Sequence, residues 1–150
     1  MENQKLNISW TDYFKYCDDL VSQIGYSNKY SAILAVARGG LIPAQYIAYK
    51  LGIKKIYNFG VISYADSNQM LKDEDVTMYQ SPAMNSDIHS SKILIIDDIA
   101  DSGRTLKIVT SLYTNSDVCV LFYKPNKSIV EPNYFAESVS NDVWITFPYD

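Results

Sequence analysis

The chain has 150 residues, 47% hydrophobic and 20% charged, a balance that excludes a disordered or fibrous protein and predicts one domain with a substantial core. Thirteen basic residues against seventeen acidic ones leave a net charge of −4, which argues against a general nucleic-acid binder or a protein of anionic membranes, since both draw affinity from clustered cations. Only Arg38 and Arg104 among the bases are arginines, the side chain best shaped to fork onto phosphate oxygens.

The opening MENQKLNISW is polar, without the apolar core of a secretory signal, and no apolar run approaches the roughly twenty residues that span a bilayer. A reduced cytoplasmic compartment is therefore expected, with Cys17 and Cys119 as small core residues. His89 has no Cys or His partner at metal-ligand spacing and reads as a surface histidine.

Ser9-Trp10-Thr11-Asp12 is a helix start with a capping Ser. Trp10, Tyr13, Phe14, Cys17, Leu20, Val21 and Ile24 then recur at spacings of three and four until Gly25, so an amphipathic helix is predicted. Ser31–Ala37 is a short continuous apolar run, as a strand buried on both faces requires, and it runs into Arg38-Gly39-Gly40. LIPAQYIAYKLG follows as a helix, with Pro43 in the first turn and Gly52 past the end. KKIYNFGVISY supplies one or two β-rich stretches interrupted by Gly60. From Asp66 to about Ser91 the periodicity disappears, and so long a polar segment in a compact domain predicts a functional lid or disorder. Lys92–Ile96 is a second buried strand, followed by Asp97-Asp98-Ile99-Ala100-Asp101-Ser102-Gly103-Arg104-Thr105 and a helical pattern through Leu112. Val118–Tyr123 is a third buried strand. The remainder, with Pro125, Pro132 and Pro148, is less regular. Strand, turn and helix in this alternation predict an α/β domain, residues 1–150, with a mostly parallel twisted sheet flanked by helices and a ligand site at the carboxyl ends of the strands.

Each of the two glycine-containing strand-to-helix turns holds one of the two arginines. Helix N-termini offer unpaired amides and a positive dipole end, and glycine lets backbone approach an anion closely, so two phosphate turns on one sheet edge are predicted. For Arg38 a plain tight turn with a solvated guanidinium is an equal alternative. The second turn is more specific. Asp97 and Asp98 leave a buried strand toward opposite sides, Asp101 follows in the turn, and Ser102–Thr105 offer hydroxyls, backbone donors and a guanidinium suited to a dianionic monophosphate. Carboxylates beside a phosphate cradle need hydroxyls or a divalent cation as partners. A sugar phosphate supplies both halves of that requirement.

ILIIDDIADSGRT, residues 93–105, resembles the phosphoribosyl-pyrophosphate signature of the type I phosphoribosyltransferases. Ala37-Arg38-Gly39-Gly40 is similar to that family's pyrophosphate loop, Ser63-Tyr64 to the start of its mobile catalytic loop (here about 64–91), and Tyr123-Lys124-Pro125 with Trp144-Ile145 to the purine pocket of its 6-oxopurine members. The order of these motifs is most similar to the small bacterial xanthine-guanine enzymes, with a purine-binding hood at about 124–150. The resemblance implies transfer of ribose 5-phosphate to N9 of guanine, xanthine or hypoxanthine in purine salvage, with Mg2+, in a homodimer or homotetramer. By the same resemblance Arg38, Gly39 and Gly40 take the pyrophosphate, and Asp97 and Asp98 take the ribose hydroxyls directly or through magnesium. Ser102–Thr105 grip the 5′-phosphate, Ala100 is counted among the residues that bind phosphoribosyl pyrophosphate, and Asp101 is the proton acceptor or N7 partner. Lys124 donates to O6, Trp144 stacks on the purine, the Ile145 carbonyl accepts from the exocyclic amine of guanine, and Tyr64 belongs to a loop that excludes water. On the residues alone the core aromatic of an alternating strand is the preferred reading of Trp144, and the upstream motifs turn the preference to stacking. Ala37 and Thr146 depart from the serine and acid associated with the bacterial members, which touches base preference and not the transfer. Three rivals are a non-catalytic regulator of the same fold that binds nucleic acid, a phosphoacceptor signalling domain, and a phosphoribosyltransferase for another base. The charge of −4, the few residues after the paired aspartates, and Lys124 with Trp144 speak against them in turn.

Overall fold

The computed structural model describes residues 4–26, 28–63, 76–83 and 87–150. In chain order it contains β1 (Gln4–Asn7), α1 (Trp10–Ile24), β2 (Ala32–Ala37), α2 (Leu41–Leu51), β3 (Ile56–Ser63), β4 (Val76–Gln80), a 3-10 turn (Asp87–Ser90), β5 (Ile93–Ala100), α3 (Arg104–Leu112), β6 (Ser116–Tyr123), β7 (Tyr134–Ser138) and β8 (Val143–Thr146). Six strands form one sheet in the order β4-β3-β2-β5-β6-β7. Every pairing in it is parallel except β3 with β4. A parallel β1-β8 pair makes a second, small sheet.

The expected α/β architecture follows from side-chain parity. In β2 and β5, Ile33, Ala35, Leu94 and Ile96 join a core with α1, α2 and β8. The intervening Ala32, Leu34, Val36, Ile93 and Ile95 join a second core with Leu106 and Val109 of α3. A central strand with apolar layers on both faces has no solvent side, so its sequence is a continuous apolar run and not an alternation. Helix α1 starts where predicted, with the Asp12 amide donating to Ser9 Oγ at 3.1 Å, and it ends at Gly25 with φ 73°. Helix α2 stops at Gly52, in the left-handed conformation that glycine adopts without strain.

Three expectations change. β5 runs on past Ile96 through Asp97–Ala100 and stays paired with β6 as far as Tyr123, so the paired aspartates belong to the strand and only Asp101–Gly103 form the turn. The KKIYNFGVISY region, by contrast, keeps to the one or two stretches expected: it supplies the single strand β3, irregular at Gly60/Val61. Gly60 lets the exposed Tyr79 ring lie directly over the strand, and a Cβ there would push that ring aside. Within the segment read as aperiodic, Val76–Gln80 forms β4, antiparallel to β3 at the sheet edge. Residues 124–150 also divide: β7 extends the main sheet, and β8 pairs with β1. No helix among the described residues is long and apolar enough to cross a membrane.

Candidate active site

The carboxyl ends of β2, β5 and β6 bring three chain segments together. The first is the turn Arg38–Gly40 between β2 and α2. The Gly40 amide donates to the Val36 carbonyl at 2.8 Å and the Leu41 amide to that of Arg38 at 3.1 Å. Gly40 caps α2 without a side chain, and a Cβ there would strike the Ile96 and Val36 carbonyls. The glycine is thus demanded by close packing of the turn on β5. The Ala37–Arg38 peptide is cis.

The second segment is Asp97–Thr105. Strand parity sends Asp97 and Asp98 to opposite faces of the sheet, as predicted. The Asp97 carboxylate accepts from the Asp98 amide at 2.8 Å, and Asp98 Oδ2 accepts from the Tyr149 hydroxyl at 2.7 Å. The Asp98 carboxylate lies so close to Gly39 that a Cβ on that glycine would collide with it, so the two turns share one wall. Burial pushes both carboxyls up, Asp97 well above the ordinary range with the neighbouring Asp98 charge adding to the effect. Neither is ion-paired among the described residues. Gly103 caps α3 at φ 78°, and a Cβ there would meet Ser128 Oγ and the Val130 amide. Ala100 is wholly buried, its carbonyl accepting from the Lys124 amide at 3.0 Å. Arg38 is exposed and Arg104 half-buried. Among the described residues neither arginine makes an ion pair, so both guanidinium groups are open to an anion.

The third segment runs from Lys124 to Asp150. Lys124, only 5% exposed, points Nζ at Asp101 Oδ1 at 3.3 Å, and Lys127 reaches the same oxygen at 2.7 Å. The Ile129 amide donates to the Ser102 carbonyl at 2.9 Å, which locks this loop onto the α3 turn. Asp98, Asp101, Lys124, Trp144, Ile145 and Phe147 are among the walls of a cleft of about 240 Å³. Trp144 is 60% exposed while Val143, Ile145 and Phe147 are buried. The core-aromatic alternative therefore fails, and the indole stands free at the cleft. A larger depression of about 370 Å³ between α1 and α2, walled by Phe14, Leu41, Ile42, Gln45 and Tyr46, has no charged wall and shares no residue with the cleft.

Of the residues singled out from sequence, all but Tyr64 fall in these three segments. Tyr64 lies outside the described residues. Lys127 and Tyr149 were not anticipated. Lys127 sits three residues after Lys124 in a turn, a spacing that could have flagged it. Tyr149 belongs to the Pro-aromatic-Asp ending, but nothing local links that ring to Asp98.

A family model described as phosphoribosyl transferase domain matches residues 9–150. Over 120 residues the chain is 33% identical to the xanthine-guanine phosphoribosyltransferase of Roseobacter denitrificans, covering 79% of this chain and 68% of that protein. Among solved structures, a purine phosphoribosyltransferase from Pyrococcus horikoshii superposes with a TM-score of 0.79 at 24% identity over 98% of this chain and 94% of the other. A xanthine-guanine-hypoxanthine phosphoribosyltransferase from Helicobacter pylori gives 0.74 at 21% identity, over 97% and 94%.

Proposed function

The chain belongs to the phosphoribosyl transferase domain family, and on that premise we propose that it is a purine phosphoribosyltransferase, moving ribose 5-phosphate from phosphoribosyl pyrophosphate to N9 of guanine, xanthine or hypoxanthine. The observation that carries the base class is the buried Lys124 facing Asp101 in a cleft that also holds the free Trp144 face. An ammonium donor suits the O6 oxygen of a 6-oxopurine, and adenine has an amino group in its place.

In this reading the 5′-phosphate binds at Ser102–Thr105, on the α3 amides and Arg104. The pyrophosphate meets the Arg38 guanidinium and the backbone of Gly39 and Gly40. Asp97 and Asp98 accept from the ribose hydroxyls. Trp144 stacks on the purine, Lys124 donates to O6, and the Ile145 carbonyl accepts from the exocyclic amine when the base is guanine. As the bond from C1 to the pyrophosphate oxygen breaks, its electron pair leaves with the pyrophosphate, and the N9 lone pair forms the new bond. Positive charge builds on the sugar and negative charge on the leaving group, so Arg38 acts where that negative charge grows. The proton lost from the purine passes to Asp101, or Asp101 holds N7 while it leaves. The loop that begins at Tyr64 would exclude water from the activated sugar.

Two adjacent, half-buried carboxylates offer the oxygen ligands a hard divalent cation prefers, and such a cation would favour the ionised form that burial opposes. The described residues hold no cluster of three metal-ligating side chains, so substrate oxygens and water would complete the shell. Mg2+ bound there would offset charge on the pyrophosphate. Assembly into a homodimer or homotetramer and a cytoplasmic location belong to the same proposal.

The test is steady-state transfer from phosphoribosyl pyrophosphate with magnesium to guanine, xanthine, hypoxanthine and adenine in parallel. Turnover with at least one 6-oxopurine and none with adenine is expected. Activity with adenine alone overturns the base assignment.

A further inference from the structure

Tyr149 is held from several sides. Its ring lies parallel to Phe147, 5.3 Å between centroids and 6° between planes, and meets Tyr13 edge-on at 5.9 Å. The turn that carries it is closed twice, by the Phe147 amide donating to Asp150 Oδ2 at 2.8 Å and by the Asp150 amide donating to the Phe147 carbonyl at 3.1 Å. From this fixed position the phenol donates to Asp98 Oδ2 at 2.7 Å. The Asp98 carboxylate lies against Gly39 in the opposite turn.

We propose that Tyr149 is a positioning residue for phosphoribosyl pyrophosphate, its phenol fixing the Asp98 carboxylate between itself and Gly39 so that the remaining lone pairs face the ribose and its metal. This rests on the phosphoribosyltransferase reading above. A carboxylate on a single side chain can rotate about two bonds, and a ligand that needs one orientation must stop that rotation on binding. A donor on a packed ring stops it beforehand. The effect is confined to the sugar side of the site, because the contacts proposed for the purine come from Lys124, Trp144 and Ile145.

Tyr149→Phe keeps the ring and its stacking and removes only the hydroxyl. Calorimetric binding of phosphoribosyl pyrophosphate with magnesium should weaken about tenfold, as losses of outer-shell partners do. The KM for that substrate should rise in step, and the purine KM should stay within about twofold, the scatter expected of a remote change. Added to Asp98→Ala, which removes the acceptor, Tyr149→Phe should cost nothing further, since the phenol acts through that carboxylate. Unchanged binding in the single variant, an equal rise of both KM values, or additive losses in the double variant would each overturn the inference. Wild-type transfer is measured in the same series. No transfer to any purine counts against the phosphoribosyltransferase reading itself, whereas transfer with an unmoved Tyr149→Phe constant removes Tyr149 alone.

Discussion

Asp101 shares one oxygen between two ammonium groups of unlike character, Lys124 almost wholly buried and Lys127 substantially exposed. The pair with Lys127 is short but solvent-screened and contributes at most about 1 kcal/mol. Lys124 is held in place by burial and by a long contact to the Asn141 carbonyl, so its orientation toward the cleft does not depend on Asp101 alone. Asp101→Asn should therefore keep the site assembled while removing the proton acceptor. Turnover is expected to fall about a hundredfold, the lower range for loss of a general base, with the dissociation constant of phosphoribosyl pyrophosphate changed little. Equal loss of turnover and binding would make Asp101 a structural residue. Trp144 gives the complementary case. Because the indole is mostly exposed, Trp144→Ala should alter unfolding free energy by no more than about 0.5 kcal/mol. Stacking on a base contributes about 1–3 kcal/mol, so the purine KM should rise at least about fivefold. A purine KM that stays put would remove the stacking role.

Among the elements, β2, β5 and β6 were legible because burial on both faces leaves an unbroken apolar run. β4 was not, since four of the five positions in VTMYQ are exposed and pairing with β3 holds it in place where burial does not. The β1-β8 pair was equally illegible, because it joins strands from opposite ends of the chain. The same holds for the junction that fixes the far end of the sheet. Asp117, buried in β6, accepts a hydrogen bond from Tyr30, whose hydroxyl lies 3.0 Å from that of Tyr134 in β7. Lys29 and Lys92 approach its two oxygens at 3.4 and 3.5 Å. One carboxylate thus ties the entries of β2, β5 and β6 to β7. Burial opposes its ionisation, but Tyr30 and the two lysines outweigh that and hold its pKa below the ordinary value. A depressed carboxyl contributes stability that is complete above the unfolded-state pKa of about 4 and is lost as pH falls through the folded value. Asp117→Asn should cost about 1–3 kcal/mol at pH 7, the range for leaving buried partners unsatisfied. In urea unfolding the gap from wild type should be constant between about pH 7 and pH 5 and narrow below about pH 4. A gap independent of pH would assign the loss to packing.

At the scale of the molecule, the site draws on turns after β2 and β5 and on the stretch from Lys124 to Asp150. The two turns were readable because each is local: a buried strand, glycines and an arginine within a few residues. In the third, Lys124, Trp144 and Ile145 were readable only through resemblance, and Tyr149 was not readable at all, since it reaches Asp98 by tertiary approach with no local signal. The net charge of −4 describes the whole surface. At the site Arg38 and Arg104, without an ion pair among the described residues, stand one in each turn where an anion is proposed to bind, so the exclusion of polyanions does not extend to small phosphates. A ligand that bridges all three segments resists separation of any one of them, and by mass action it stabilises the folded chain as a unit. At a hundredfold excess over its dissociation constant, phosphoribosyl pyrophosphate with magnesium should add about 2.7 kcal/mol. For a chain of this length that raises the melting temperature by about 5–10 °C. Differential scanning fluorimetry of wild type and Arg104→Ala, each with and without magnesium, measures this directly. The rise should shrink without magnesium and be largely lost in Arg104→Ala, whose ligand-free melting temperature should stay near that of wild type because the guanidinium has no carboxylate partner among the described residues. An equal rise in both proteins would place the 5′-phosphate elsewhere than the α3 turn.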